Sequence, residues 1–217
     1  MKKILLIEDV TSRQIGFMSK IDFKLEDYND ILENSIGKKY KEIAEELKND
    51  TFNFDEYSMI MVHQSAFEDD VAITIDKLKN YCEKHKKALV LFSGVNSKYY
   101  NNSKYEYIEL NTKEFYSNNL KLFLEAYRNQ NQNILMLSYG EKWTITILLN
   151  ILQKTNQFLE ENIEEDIIYS SFKIFTKINE IENINYHFYD VEVEDDWVYR
   201  NEIIKLRDSI LEYIQNY

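Results

Sequence analysis

Short apolar runs alternate with amphipathic stretches through the first 127 residues, and this alternation restricts the fold more than any other property of the chain. Residues 3–7 (KILLI), 57–62 (YSMIMV), 88–92 (ALVLF) and 105–110 read as strands, with a weaker edge strand at 23–27. Helices are expected between and after them at 11–21, 35–48, 68–84 and 112–127, with Ile36, Tyr40, Ile43, Ala44 and Leu47 on one face of the second and Val71, Ile75, Leu78 and Cys82 on one face of the third. Strands separated by helices have to pair in parallel, because a hairpin turn is too short to hold a helix. The expected architecture is therefore α/β, a doubly wound, parallel, five-stranded sheet covered on both faces. Ligands and reactive groups in such sheets gather at the carboxyl ends of the strands.

The chain continues differently beyond Asn129-Gln130-Asn131-Gln132-Asn133, a polar junction. Helical stripes are expected at 144–161 (Ile145, Leu148, Leu149, Leu152, Phe158), 166–181 and 197–213. Residues 134–137 fit a strand or a first helical turn, and 186–193 an extended segment. The expected division is a domain at 1–128 followed by a mostly helical region at 129–217. Proline is absent and glycine occurs four times, so these boundaries rest on apolar periodicity alone.

A net charge of −12 with no basic block leaves no electrostatic footprint for nucleic acid or an anionic membrane. The single cysteine, Cys82, excludes an internal disulfide and reads as a small buried hydrophobe. The apolar run before Glu8 is too short for a signal peptide and no run is long enough to span a bilayer, so a cytoplasmic location is expected.

At the strand ends stand Glu8-Asp9 after ILLI, His63 after YSMIMV, Ser93-Gly94 after ALVLF, and Asn111 followed by Lys113 after YIEL. The order of elements over residues 1 to 127, with ILLIED at its first strand, resembles the receiver domain of bacterial response regulators. The resemblance implies that Glu8 and Asp9 match the acid pair that holds Mg²⁺, that Ser93 matches the hydroxyl after the fourth strand, and that Lys113 or Asn111 stands at the position of the fifth-strand lysine. Where the family has its phosphoaccepting aspartate this chain has His63, which supplies neither an acyl phosphate nor an anionic oxygen ligand. Residues 95–103 (VNSKYYNNS) carry no apolar stripe where the family has its switch helix.

These departures lead to an expected pseudo-receiver: a phosphorylation-independent regulatory or adaptor protein of bacterial signalling or stress response, acting through protein partners or self-association, and not an enzyme. Its pocket comprises Glu8, Asp9, His63, Ser93, Asn111 and Lys113, with Glu8 and Asp9 a weak Mg²⁺ site and His63 expected to hydrogen-bond the acid pair. Three other options remain at this level. The strand-end crevice could hold a small phosphorylated or nucleotide-like ligand, the acid pair could serve a metal-dependent hydrolase or nuclease, or Ser65, Ser93 or His63 could accept a phosphoryl group.

Overall fold

A computed structural model describes residues 3–95, 98–101, 104–131, 133–161 and 196–216. It divides into two compact units, Met1–Glu141 and Lys142–Tyr217. The boundary falls after Glu141 rather than after residue 128, because the segment following the polar junction is apolar and buried in the first unit. Ile134, Leu135 and Leu137 are almost fully covered, and Asn119 Nδ2 donates to the Leu137 carbonyl at 3.4 Å.

The first unit is built on a mostly parallel, six-stranded sheet. Its strands are β1 (Lys3–Ile7), β2 (Leu32–Ser35), β3 (Tyr57–His63), β4 (Ala88–Ser93), β5 (Tyr99–Asn101) and β6 (Tyr107–Asn111), in the order β2-β1-β3-β4-β6-β5. The central strands are near-continuous apolar runs because both sheet faces are covered. On one face Leu5, Ile7, Ile60, Val62, Leu89 and Leu91 pack against Leu47 of helix α2 (Lys38–Lys48) and Leu78 and Cys82 of α3 (Ile75–His85). The alternate residues face the other side, where Phe92 stacks on Phe115 with ring centroids 3.9 Å apart.

Several elements differ from the sequence expectation. Residues 23–27 form no strand; a 3₁₀ turn occupies Leu25–Tyr28 and the edge strand β2 comes later, pairing Ile4 with Leu32 and Ile7 with Ser35. Helix α3 begins at Ile75, not at 68, because Phe67 has a positive φ of 74° and the Asp70 carboxylate captures the Ala72 N–H at 3.0 Å, closing a turn that competes with helix. The sixth strand, β5, runs antiparallel to β6, pairing Tyr99 with Glu109 and Asn101 with Tyr107. It occupies the sequence position of the switch helix that the resemblance implied.

The helix expected over 112–127 is two helices, α4 (Thr112–Phe115) and α5 (Asn118–Arg128). Tyr116 leaves the helical region at ψ 71°, and the Ser117 hydroxyl caps α5 by accepting the Asn119 N–H at 3.1 Å. This break turns Tyr116 inward. Residues 134–137 resolve as a helical turn, α6 (Met136–Tyr139).

In the second unit α7 (Trp143–Glu161) packs against α8 (Asp196–Asn216), and Arg200 Nη2 donates to the Leu159 carbonyl. The buried side of α7 carries Ile147, Leu148, Ile151 and Thr155, so the apolar stripe is rotated from the expected one and leaves Leu149 48% exposed. On α8, Ile203, Leu206 and Ile210 are buried as their spacing implies. The helix expected at 166–181 and the extended segment at 186–193 lie outside the described residues. Among the described residues no helix is long and apolar enough to cross a membrane.

Candidate functional site

The register aligns the carboxyl ends of four parallel strands: Ile7 lies opposite Val62, His63 opposite Phe92, and Ser93 opposite Asn111. Strand order reverses between β1 and β3, since β2 lies on one side of β1 and all later strands on the other. A crevice opens at such a reversal because the connecting segments leave in opposite directions. Glu8, Asp9 and His63 sit there.

Glu8 is fully buried, one residue beyond the end of β1. Its Oε1 accepts the Val10 N–H at 3.1 Å and Arg13 Nη1 at 2.8 Å, and its Oε2 accepts the Tyr116 hydroxyl at 3.2 Å. The same Arg13 nitrogen donates to Asp9 Oδ1 at 3.0 Å, so one guanidinium bridges both carboxylates. Arg13 lies on helix α1 (Thr11–Met18), placed by helical geometry four residues past Asp9. Its other terminal nitrogen approaches Ser65 Oγ at 3.4 Å. Burial, reinforced by a hydrogen bond with Asp9, pushes Glu8 up to about 7 despite the nearby guanidinium.

His63 closes β3. Its Nδ1 lies 2.7 Å from Ser65 Oγ and accepts the Ser65 N–H at 3.2 Å; its ring meets the Phe92 ring edge-on at 5.3 Å. Burial, with the Arg13 charge adding to it, lowers His63 to about 4, so the imidazole is neutral at physiological pH. The expected hydrogen bond from His63 to the acid pair is not formed: Arg13 bridges the two carboxylates and His63 Nδ1 pairs with Ser65 instead.

A buried support network stands behind Glu8. Gln14 Nε2 donates to the Tyr116 hydroxyl at 3.2 Å and to Asn34 Oδ1 at 3.0 Å, while Asn34 Nδ2 returns a bond to Gln14 Oε1 at 2.8 Å. Tyr116→Phe removes the donor to Glu8 and the acceptor for Gln14, and should cost about 1–2 kcal/mol in urea unfolding at pH 7. A loss near zero would show that Glu8 does not depend on this hydroxyl.

The remaining sequence candidates are placed differently. Ser93 is buried and its Oγ accepts the Val95 N–H at 3.3 Å. Asn111 Nδ2 donates to the Gly94 and Val95 carbonyls at 3.3 and 3.2 Å, and its Oδ1 accepts the Lys113 N–H at 2.8 Å, capping α4. Both residues tie down the loop after β4. Lys113 is exposed on the first turn of α4, and its amine contacts neither acid among the described residues. Cys82 is fully buried and its thiol is pushed up to about 12, as suits a core side chain. Arg13, Gln14 and Tyr116 were not among the sequence candidates, and Ser65 was one only as a phosphoryl acceptor, not as a partner of His63. Only Arg13 had a local signal, its i,i+4 spacing from Asp9.

Among the described residues, single ligand atoms of Glu8, Asp9 and His63 lie within 4.8 Å of one another. The set is a poor match for Mg²⁺, which seeks oxygen donors in an octahedron and here would meet an imidazole and a carboxylate already holding three donors.

The fold and the site thus define an α/β chain with a mostly parallel six-stranded sheet and an arginine-bridged acid pair at its topological switch point. Comparison of the chain with protein-family models, with curated proteins and with solved structures found no match.

Proposed function

We propose that the first unit is a flavodoxin-like pseudo-receiver and that the protein is a phosphorylation-independent regulatory or adaptor component of bacterial signalling, working in the cytoplasm through protein–protein contacts rather than catalysis. The observation that carries this is the Arg13 guanidinium, bonded to Glu8 at 2.8 Å and Asp9 at 3.0 Å beside a buried, neutral His63. Phosphoryl transfer to a receiver needs a dication on the acid pair and a carboxylate acceptor. Here a tethered cation takes the first role's place and an imidazole the second's.

Two further features support the interaction reading. The antiparallel β5 stands where the resemblance implies a phosphorylation-responsive helix, so the output surface is held by strand pairing to β6. A groove flanking α1 combines Ile15, Met18, Phe23, Leu25 and Ile36 with Gln14, Lys24 and Glu26, and Ile15 is 60% exposed; apolar surface with a polar rim suits a partner contact. The test is the intact mass of the protein after incubation with Mg²⁺ and acetyl phosphate. An unchanged mass is expected; a phosphoryl adduct on any residue overturns the proposal.

A further inference from the structure

We propose that Glu8, Asp9 and His63 form a site for a divalent transition metal of the Zn²⁺ class, which enters by displacing the Arg13 guanidinium. The three side chains converge from two adjacent strands, with ligand atoms no more than 4.8 Å apart. A tetrahedral Zn²⁺ with bonds of about 2.0–2.2 Å places its ligands roughly 3.4 Å apart, a contraction that rotation of three side chains can share. Imidazole nitrogen with two carboxylates is a donor set for Zn²⁺, Co²⁺ or Ni²⁺ and a poor one for Mg²⁺ or Ca²⁺. The misfit to Mg²⁺ therefore selects another class of ion.

Charge and geometry both permit the exchange. With both carboxylates ionised, the acid pair and Arg13 together leave one uncompensated negative charge; a dication in place of the guanidinium neutralises the pair. Arg13 is held by two bonds to the acids and a 3.4 Å approach to Ser65, and its side chain is 25% exposed, so it can swing to solvent without disturbing the core. Ser65 holds the imidazole from one side, its N–H donating to His63 Nδ1 at 3.2 Å and its Oγ 2.7 Å from the same nitrogen. Metal capture here is independent of whether the protein acts through partners.

The experiment titrates the chelator-treated full chain with Co²⁺, Zn²⁺ or Mg²⁺, reading visible Co²⁺ absorption and melting temperature. Co²⁺ should give d–d bands of a low-symmetry complex, and saturating Zn²⁺ should raise the melting temperature by roughly 5 °C, while millimolar Mg²⁺ does neither. His63→Gln should weaken Co²⁺ binding at least tenfold. Arg13→Gln should strengthen it about tenfold, a gain that misfolding does not mimic. Absence of Co²⁺ absorption in both the native chain and Arg13→Gln overturns the proposal, as does a Co²⁺ signal that His63→Gln leaves unchanged.

Discussion

Truncating Phe92 to Ala is expected to cost about 4 kcal/mol of folding stability. Phe92 has no exposed surface and lies mid-sheet, between His63 of β3 and Leu110 of β6. Its ring stacks on Phe115 at 3.9 Å and meets Tyr116 edge-on at 5.4 Å and His63 at 5.3 Å. Removing it deletes apolar burial and leaves a cavity that backbone pairing on both sides prevents from collapsing. The same cavity would admit water beside His63 and relax the burial that keeps its imidazole neutral. Urea unfolding should show a lower midpoint with an unchanged slope. A loss under about 2 kcal/mol would mean that this face of the sheet repacks freely.

The second large effect is a pair of opposed pH dependences. Glu8 rises from an ordinary 4.5 to about 7, so the folded protein holds that proton more tightly than the unfolded chain, and stability falls as pH rises through this window. His63 drops from 6.5 to about 4, so the folded protein resists protonation and stability falls as pH is lowered through that window. Each contribution is about 3 kcal/mol at most, and across their shared range they cancel. The native chain should therefore show little slope from this site between pH 5 and 6.5, and single replacements should unmask it. Relative to the native chain, His63→Gln should gain up to about 3 kcal/mol on going from pH 7 to 4. Glu8→Gln should gain a similar amount on going from pH 4.5 to 7. Denaturant midpoints across the range decide the matter: if either variant runs parallel to the native chain, the corresponding group is not perturbed.

The strands and their end residues were legible in the sequence because buried parallel strands are written as uninterrupted apolar runs. ILLI, YSMIMV and ALVLF each became a central strand within a residue of the expected ends, which brought Glu8, Asp9 and His63 to one edge of the sheet. Edge elements were less legible. Residues 32–35 (LENS) carry too few apolar side chains to signal β2, and β5 is only three residues long. Their strand character comes from hydrogen bonds to β1 and β6, not from any local pattern. The late start of α3 and the break after α4 escaped periodicity for a related reason. Asp70 and Ser117 redirect the backbone through side-chain bonds that a hydrophobic pattern does not record.

What the sequence determined by itself was the alternation that forces a mostly parallel sheet, and the identity of the groups delivered at its strand ends. Tertiary structure alone decided what those groups do to one another. Tyr116, 108 residues from Glu8 along the chain, reaches its carboxylate only because α4 stops one residue earlier. Ser65 holds His63 beside Arg13, 52 residues away, because β3 runs alongside β1. The raised Glu8, the neutral His63 and the bridged acid pair are products of burial and of those long-range contacts. A linear pattern can place a carboxylate at the end of a strand; the low dielectric and the partners that set its charge exist only once the sheet and its covering helices have closed over it.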